Sequence, residues 1–209
     1  NWAGLTAVFS DRRIQNQKME NLRRENQRLQ LENQKLMEYK YEALRLQKLL
    51  KFREQKKDEF ELITARVIAR SPNNWFNYLI IDRGLQDGIK KDMPVISPQG
   101  LVGRVATVSE KSAQVSLITD REMAVGAILQ KNRESRGIVE GLGKSTVLSM
   151  ANIPYYSSIR KGDQVITSGL SSLYPKGIKI GKVSSITREP SGLLLSARVK
   201  PAVDFDKLE

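Results

Sequence analysis

The sequence predicts a long N-terminal α-helix followed by a mainly antiparallel β head. Three observations predict it. All seven prolines lie at Pro72 or later, and of 14 glycines only Gly4 precedes Gly84, so Leu5 to Ser71 is free of both helix breakers. Leu22, Leu29, Leu36, Ala43 and Leu50 recur every seven residues. From Glu61 onward the apolar pattern changes from a helical period to alternation, cut at short intervals by Gly and Pro.

The helix comes first. Arg, Glu, Gln, Lys and Leu dominate from Asp11 to Phe60, and all are good helix formers. Ser10 with Asp11 offers an N-cap, and an earlier start stays open. About 50 residues at ~1.5 Å rise make a rod of roughly 75 Å. No small head can bury one face of such a rod, so it calls for a partner helix. With Leu22, Leu29 and Leu36 at the d positions of a heptad, Met19, Asn26 and Asn33 fall at a. A buried Asn pairs best with its own copy across a parallel two-stranded seam and penalises other registers. Beyond Leu36 the seam runs through Tyr39, Ala43, Leu46 and Leu50, a change of phase that resembles a stutter. The predicted seam of a parallel homodimer is therefore Met19, Leu22, Asn26, Leu29, Asn33, Leu36, Tyr39, Ala43, Leu46 and Leu50. The alternative is a solvated single helix laced with ion pairs one turn apart.

The head follows as short strands. Alternating or apolar runs fall at Thr64–Arg70, Tyr78–Asp82, Met93–Ser97, Leu101–Val108, Ala113–Thr119 and Ala124–Gln130. Further runs fall at Ser135–Glu140, Thr146–Met150, Gln164–Ser168, Ile178–Ile186 and Leu193–Pro201. Ser71-Pro-Asn-Asn74, Asp87-Gly88 and Pro98-Gln-Gly100 supply turns between them. The connections are too short for helical crossovers, so the class is small antiparallel barrels or sandwiches in two units of about six strands each.

Composition narrows the chemistry. The 209 residues include no His and no Cys, which excludes a Ser–His–Asp triad, a Cys nucleophile, disulfides and a His/Cys zinc site. No run approaches the roughly 18 apolar residues that span a bilayer. The net charge is +12, carried by 35 basic against 23 acidic side chains and spread along both halves. Arg12, Arg13, Lys18, Arg23, Arg24 and Arg28 ahead of leucine heptads outline a basic zipper. Asp11, Glu20 and Glu25 interrupt them, however, and each would meet phosphate repulsion, so no nucleic-acid partner is expected. Asp82 and Asp87 around Gly84 read as turn residues rather than an acid–base pair. Gly100-Leu-Val-Gly103 has the wrong flanks for a phosphate loop and reads as a bend where a side chain would clash.

Several segments together resemble one family. Leu79-Ile-Ile-Asp82-Arg-Gly84, Asp87-Gly88-Ile89, Met93-Pro-Val95 and Gly100-Leu-Val-Gly-Arg-Val105 come first. Leu117-Ile-Thr-Asp120, Gly137-Ile-Val-Glu-Gly141, Gly162-Asp-Gln-Val-Ile-Thr-Ser-Gly169 and Tyr174-Pro-Lys-Gly-Ile178 follow. Behind a leucine-heptad helix, this order resembles the head of the rod shape-determining MreC family. The resemblance implies two small six-stranded-type antiparallel β-barrels in a chymotrypsin-like arrangement. The first barrel would hold 64–108 plus 181–209, the second would be inserted at 109–180, and 1–63 would form a juxtamembrane stub and coiled coil.

The resemblance also implies a function. A chain of this kind is a non-catalytic, cofactor-free scaffold of the bacterial cell-elongation machinery. It would organise peptidoglycan synthesis at the extracytoplasmic face of the cell membrane, with a membrane anchor N-terminal to residue 1. Implied partners are a second copy, a class B penicillin-binding protein, MreD, RodA and MreB. The alternative is a periplasmic adaptor of an efflux or secretion system, which needs a second long helix. Aromatics supply large contact area at interfaces, so Trp75, Phe76, Tyr155 and Tyr156, which lie beside turns, form the candidate partner surface; the alternative for each is burial in the core.

Overall fold

The computed structural model describes residues 2–56, 60–71, 77–132, 135–143, 146–171 and 173–209, with helix side chains described at 15 and from 17 onward. Two compact units divide at Leu62/Ile63. The first is built on one α-helix, α1 (Trp2–Lys56). It is about 80 Å long at 1.5 Å per residue. The helix runs through Ser10 and Asp11 without interruption, so the cap offered by these residues is not its start.

Among the described residues the second unit carries eleven strands. They are β1 (Val67–Arg70), β2 (Tyr78–Ile81), β3 (Pro94–Ser97), β4 (Gly100–Val108), β5 (Ala113–Leu117) and β6 (Ala124–Leu129). After them come β7 (Arg136–Glu140), β8 (Leu148–Pro154), β9 (Gln164–Thr167), β10 (Lys179–Arg188) and β11 (Leu194–Pro201). Every pairing is antiparallel, and each strand overlaps one of the runs read from the sequence. One sheet has the order β1-β2-β5-β4-β3, and β10-β11-β8-β7-β6-β9 closes into a six-stranded barrel.

The pairing draws the boundaries differently from the sequence reading. Of the two barrels expected, one closes, while the other unit is a five-stranded sheet. β5, assigned at 109–180 to the second unit, pairs with β2 and β4 of the first. β10 and β11, assigned at 181–209 to the first, close the second. Only the tail returns: Val203, Phe205 and Leu208 pack on the core of the five-stranded sheet. The inserted segment therefore runs from about Ile118 to Pro201. Alternation shows which side of a strand is buried but not which strand lies beside it, and that accounts for the misplacement.

Each strand group encloses its own core. Inside the barrel, Leu129, Val139, Leu148, Met150, Ile153 and Val199 are fully buried, each worth roughly 1.5–3 kcal/mol in transfer terms. Leu79, Val102, Val105 and Val115 fill the first sheet's core. Leu101 of β4 and half-buried Ile96 of β3 pack into the barrel's cluster, so the two cores meet there. Asn77 adds a polar link. Its Nδ2 donates to Thr119 O (3.2 Å) and to Gly143 O (2.6 Å), while its own carbonyl accepts from Leu117 N (2.7 Å). The Arg70 guanidinium donates to the carbonyls of Phe205 and Leu208, clasping the returning tail.

Two glycines fix local geometry. Gly88 takes φ 84° at the end of the short 3-10 turn Leu85–Asp87, as its Asp-Gly pairing predicts. At Gly103 a Cβ would lie 1.9 Å from Ser116 O on the neighbouring strand. That atom belongs to a laddered backbone and cannot move without breaking β4 from β5. Gly103→Ala is therefore expected to destabilise the head by more than about 3 kcal/mol in denaturant melts. Gly162→Ala, where nothing lies within 4 Å, should cost only the left-handed backbone penalty of about 1–2 kcal/mol.

Candidate interaction surfaces

Spacing of three and four residues puts the predicted seam on one face of α1, and that face is open. Leu22 is 61% and Leu50 57% exposed, and Met19, Leu29, Leu36, Tyr39 and Leu46 are exposed as well. So are Asn26, Asn33 and Ala43. Met19, Leu22, Arg23 and Asn26, with Gln27, line a shallow groove. Residues at i, i+3, i+4 and i+7 are the four that form a hole for a knob from a facing helix. Asn33, Leu36 and Tyr39 follow at two successive steps of three residues. That spacing is a stammer, which overwinds a coiled coil, and not the unwinding stutter read at first.

Ion pairs stand beside the seam. Arg28 Nη2 lies 2.7 Å from Glu25 Oε1, and Arg45 Nη2 lies 3.0 Å from Glu42 Oε1. The hydrogen bond from Arg28 holds the Glu25 carboxyl below its ordinary value and raises the guanidinium in turn. Exposed pairs of this kind order side chains more than they stabilise.

On the head, Tyr155 and Tyr156 follow β8 directly and are 55% and 76% exposed. Their rings meet edge to face, with centroids 5.5 Å apart. Tyr155 N donates to Leu193 O (3.1 Å), which brings in a third apolar residue, itself exposed. Leu193 escaped the sequence reading because it opens an apolar run, Leu193-Leu-Leu195, that reads as core. Trp75 and Phe76, the other half of the candidate surface, lie outside the described residues, as does the expected turn at 72–74.

The carboxylates near Gly84 belong to turns. Asp82 Oδ1 accepts from Arg66 N (2.7 Å), and Asp87 Oδ2 accepts from Gly84 N (3.0 Å). Arg83 stands 3.6 and 3.7 Å from the two. Among the described residues no group of three or more carboxylates is placed to hold a metal ion. No helix among them is long and apolar enough to cross a membrane.

Tyr174 is more deeply placed than its turn sequence implies. It is buried in the barrel core, and Thr167 Oγ1 secures its loop by donating to Pro175 O (2.5 Å) and accepting from Ile178 N (2.9 Å). Burial raises the phenol above its ordinary 10.0. Nearby Arg104 opposes the shift and Asp92 adds to it, these two being paired at 3.2 Å.

The matches to known proteins agree with this architecture. The family model described as "Rod shape-determining protein MreC, barrel core" matches residues 67–209. The chain belongs to the MreC family. Cell shape-determining protein MreC of Listeria monocytogenes is 34% identical over 196 residues, covering 90% of this chain and 66% of the relative. The Escherichia coli MreC is 31% identical over 185 residues, covering 87% and 50%. The chain thus spans about half to two thirds of the length of the curated relatives it matches. Among solved structures, L. monocytogenes MreC gives a TM-score of 0.65 at 35% identity, covering 88% of this chain and 92% of that one. Pseudomonas aeruginosa MreC gives 0.68 at 25% identity, covering 72% and 96%. A Helicobacter pylori MreC solved in complex with penicillin-binding protein PBP2 shares the fold, with a TM-score of 0.55 at 20% identity over 68% of this chain and 87% of that one.

The buried phenol has a measurable consequence. Between pH 10 and the raised native value, the unfolded chain releases the Tyr174 proton before the folded one does, so folding stability falls as pH rises through that window. Denaturant melts from pH 9 upward should show this decline beginning near the ordinary phenol value of about 10. Tyr174→Phe should flatten it. An unchanged slope would show that the phenol does not contribute to the decline.

Proposed function

We propose that this chain acts as a non-catalytic scaffold of cell elongation at the extracytoplasmic face of the cell membrane. Two copies of α1 join in parallel, and the head holds a wall-synthesis enzyme at Tyr155, Tyr156 and Leu193. The observation that carries the first part is the open seam from Met19 to Leu50, with its four-residue hole at Met19, Leu22, Arg23 and Asn26. A second identical helix supplies Leu22 as the knob for that hole. In that register Lys18 at g faces Arg23 at e of the partner, which repels. The asparagines at a therefore set the orientation, and the charges do not.

The second part rests on the tyrosine patch and on the related MreC solved in complex with penicillin-binding protein PBP2. The corresponding partner here is a class B penicillin-binding protein. MreD, RodA and MreB are proposed for the whole protein on family grounds alone. An adaptor of an efflux or secretion system finds no support: α1 is the one α-helix among the described residues, and the relatives are cell-shape proteins.

Sedimentation equilibrium tests the seam. The chain should be a dimer at tens of micromolar. Asn26→Leu/Asn33→Leu should raise the thermal midpoint while admitting trimers or tetramers. A monomer in both cases would end the dimer reading. For the head, Tyr155→Ala/Tyr156→Ala should weaken binding of the cognate class B penicillin-binding protein by at least about 30-fold (~2 kcal/mol) at unchanged stability. Undiminished affinity would place the contact elsewhere.

A further inference from the structure

Away from the tyrosine patch, positive charge gathers on the outer face of β10 and β11. Lys182 and Lys200 are direct cross-strand partners, and both are exposed. Arg198 is exposed as well, and buried Val199 separates it from Lys200, so alternation puts the two cations on one face. An irregularity in the β9–β10 ladder between Lys179 and Gly181 leaves Lys179 exposed on the same strand as Lys182. None of these four cations forms an ion pair with a described residue. Their neighbours across the ladders are neutral: Ser185 and Ser149 flank Arg198, and Gln164 flanks Lys182. Ser184 Oγ also donates to Arg198 O (3.1 Å).

Like charges directly opposite each other in a sheet are destabilising. The Lys182–Lys200 pair therefore burdens the isolated head, and a bound anion would remove that burden. One anion cannot cover the row, because residues two apart on a strand are separated by about 7 Å. A ligand with repeating charges can. Lys, Arg and Ser side chains are the usual contacts of phosphodiester oxygens. A surface that settles into lipid headgroups would also need apolar anchors. Between Lys179 and Pro201 the one exposed large apolar side chain is Leu193, at the far end of β11 from Lys200. We infer that the outer face of β10–β11 binds a linear phosphodiester polymer through Lys179, Lys182, Arg198 and Lys200. This surface stands independently of the dimer seam and of the tyrosine patch.

Fluorescence-anisotropy titration of the whole chain with labelled synthetic poly(glycerol phosphate) tests it, comparing the wild type with Lys182→Gln/Lys200→Gln. The wild type should bind at low salt and weaken steeply between about 50 and 200 mM. The variant should bind at least about tenfold more weakly, with a log–log salt slope shallower by roughly 1.4. Its thermal midpoint should stay level or rise, because a like-charge pair is gone. Equal binding by both proteins, or no wild-type binding at low salt, overturns the proposal. Equal binding of polyglutamate overturns the phosphodiester assignment, and tighter binding of phosphatidylglycerol vesicles assigns the face to a membrane instead. A fall in the midpoint contradicts the uncompensated pair on which the argument rests.

Discussion

Closure of the barrel through β10 is the constraint on which the head depends. β10 pairs with β11 along one edge and with β9 along the other, so neither edge is left open. Closing a ring of six short strands requires sharp bending, and the ladders of β10 shift register between Lys179 and Gly181 and again between Val183 and Ser185. At the first shift, Gly181 lets the backbone of Lys200 approach to where a Cβ would be 2.1 Å away. The bends keep Ile180 and Val183 in the core while leaving Lys179 and Lys182 outside. The strand that seals the barrel is therefore also the one that displays its densest positive charge.

A different constraint governs α1. A helix of 55 residues with an exposed apolar stripe and two asparagines on that stripe gains little from propensity alone. Ion pairs such as Glu20–Arg24, Glu25–Arg28 and Glu42–Arg45 join residues of the same helix and contribute little at the surface. What the stripe lacks is a cover, and Asn26 and Asn33 restrict which cover is acceptable. A non-identical apolar surface would leave both amides buried without partners, whereas an identical helix in register pairs each with its own copy.

Much of this was legible in the sequence because it is periodic. The unbroken run from Leu5 to Ser71 marked the helix, and alternation located all eleven strands, since both patterns report directly on which side of an element is buried. Placement of β5, β10 and β11 was not legible: Val115 and Val199 alternate alike, yet one belongs to the sheet's core and the other to the barrel's. Tyr155 and Tyr156 could equally have been core residues on sequence alone, and the structure leaves both exposed. Leu193 was missed because an apolar residue beside two others reads as core. Tyr174 was legible as part of a Tyr-Pro-Lys-Gly turn, but a turn motif does not report that its ring fills the barrel, near Arg104 and Asp92.

The absence of His and Cys takes on a sharper meaning beside these surfaces. Without them a Ser–His–Asp triad or a Cys nucleophile is out of reach, and what the head does display is its exposed surfaces. β11 carries both candidate surfaces: its first residue adjoins Leu193 and the tyrosines, and its other end displays Arg198 and Lys200. The seven steps from Leu193 to Lys200 separate them by about 23 Å along a laddered strand. β11 is hydrogen-bonded on both sides, to β8 and to β10, which fixes the separation. A separation fixed by ladders on both sides of β11 is a property of the closed barrel rather than of any one side chain.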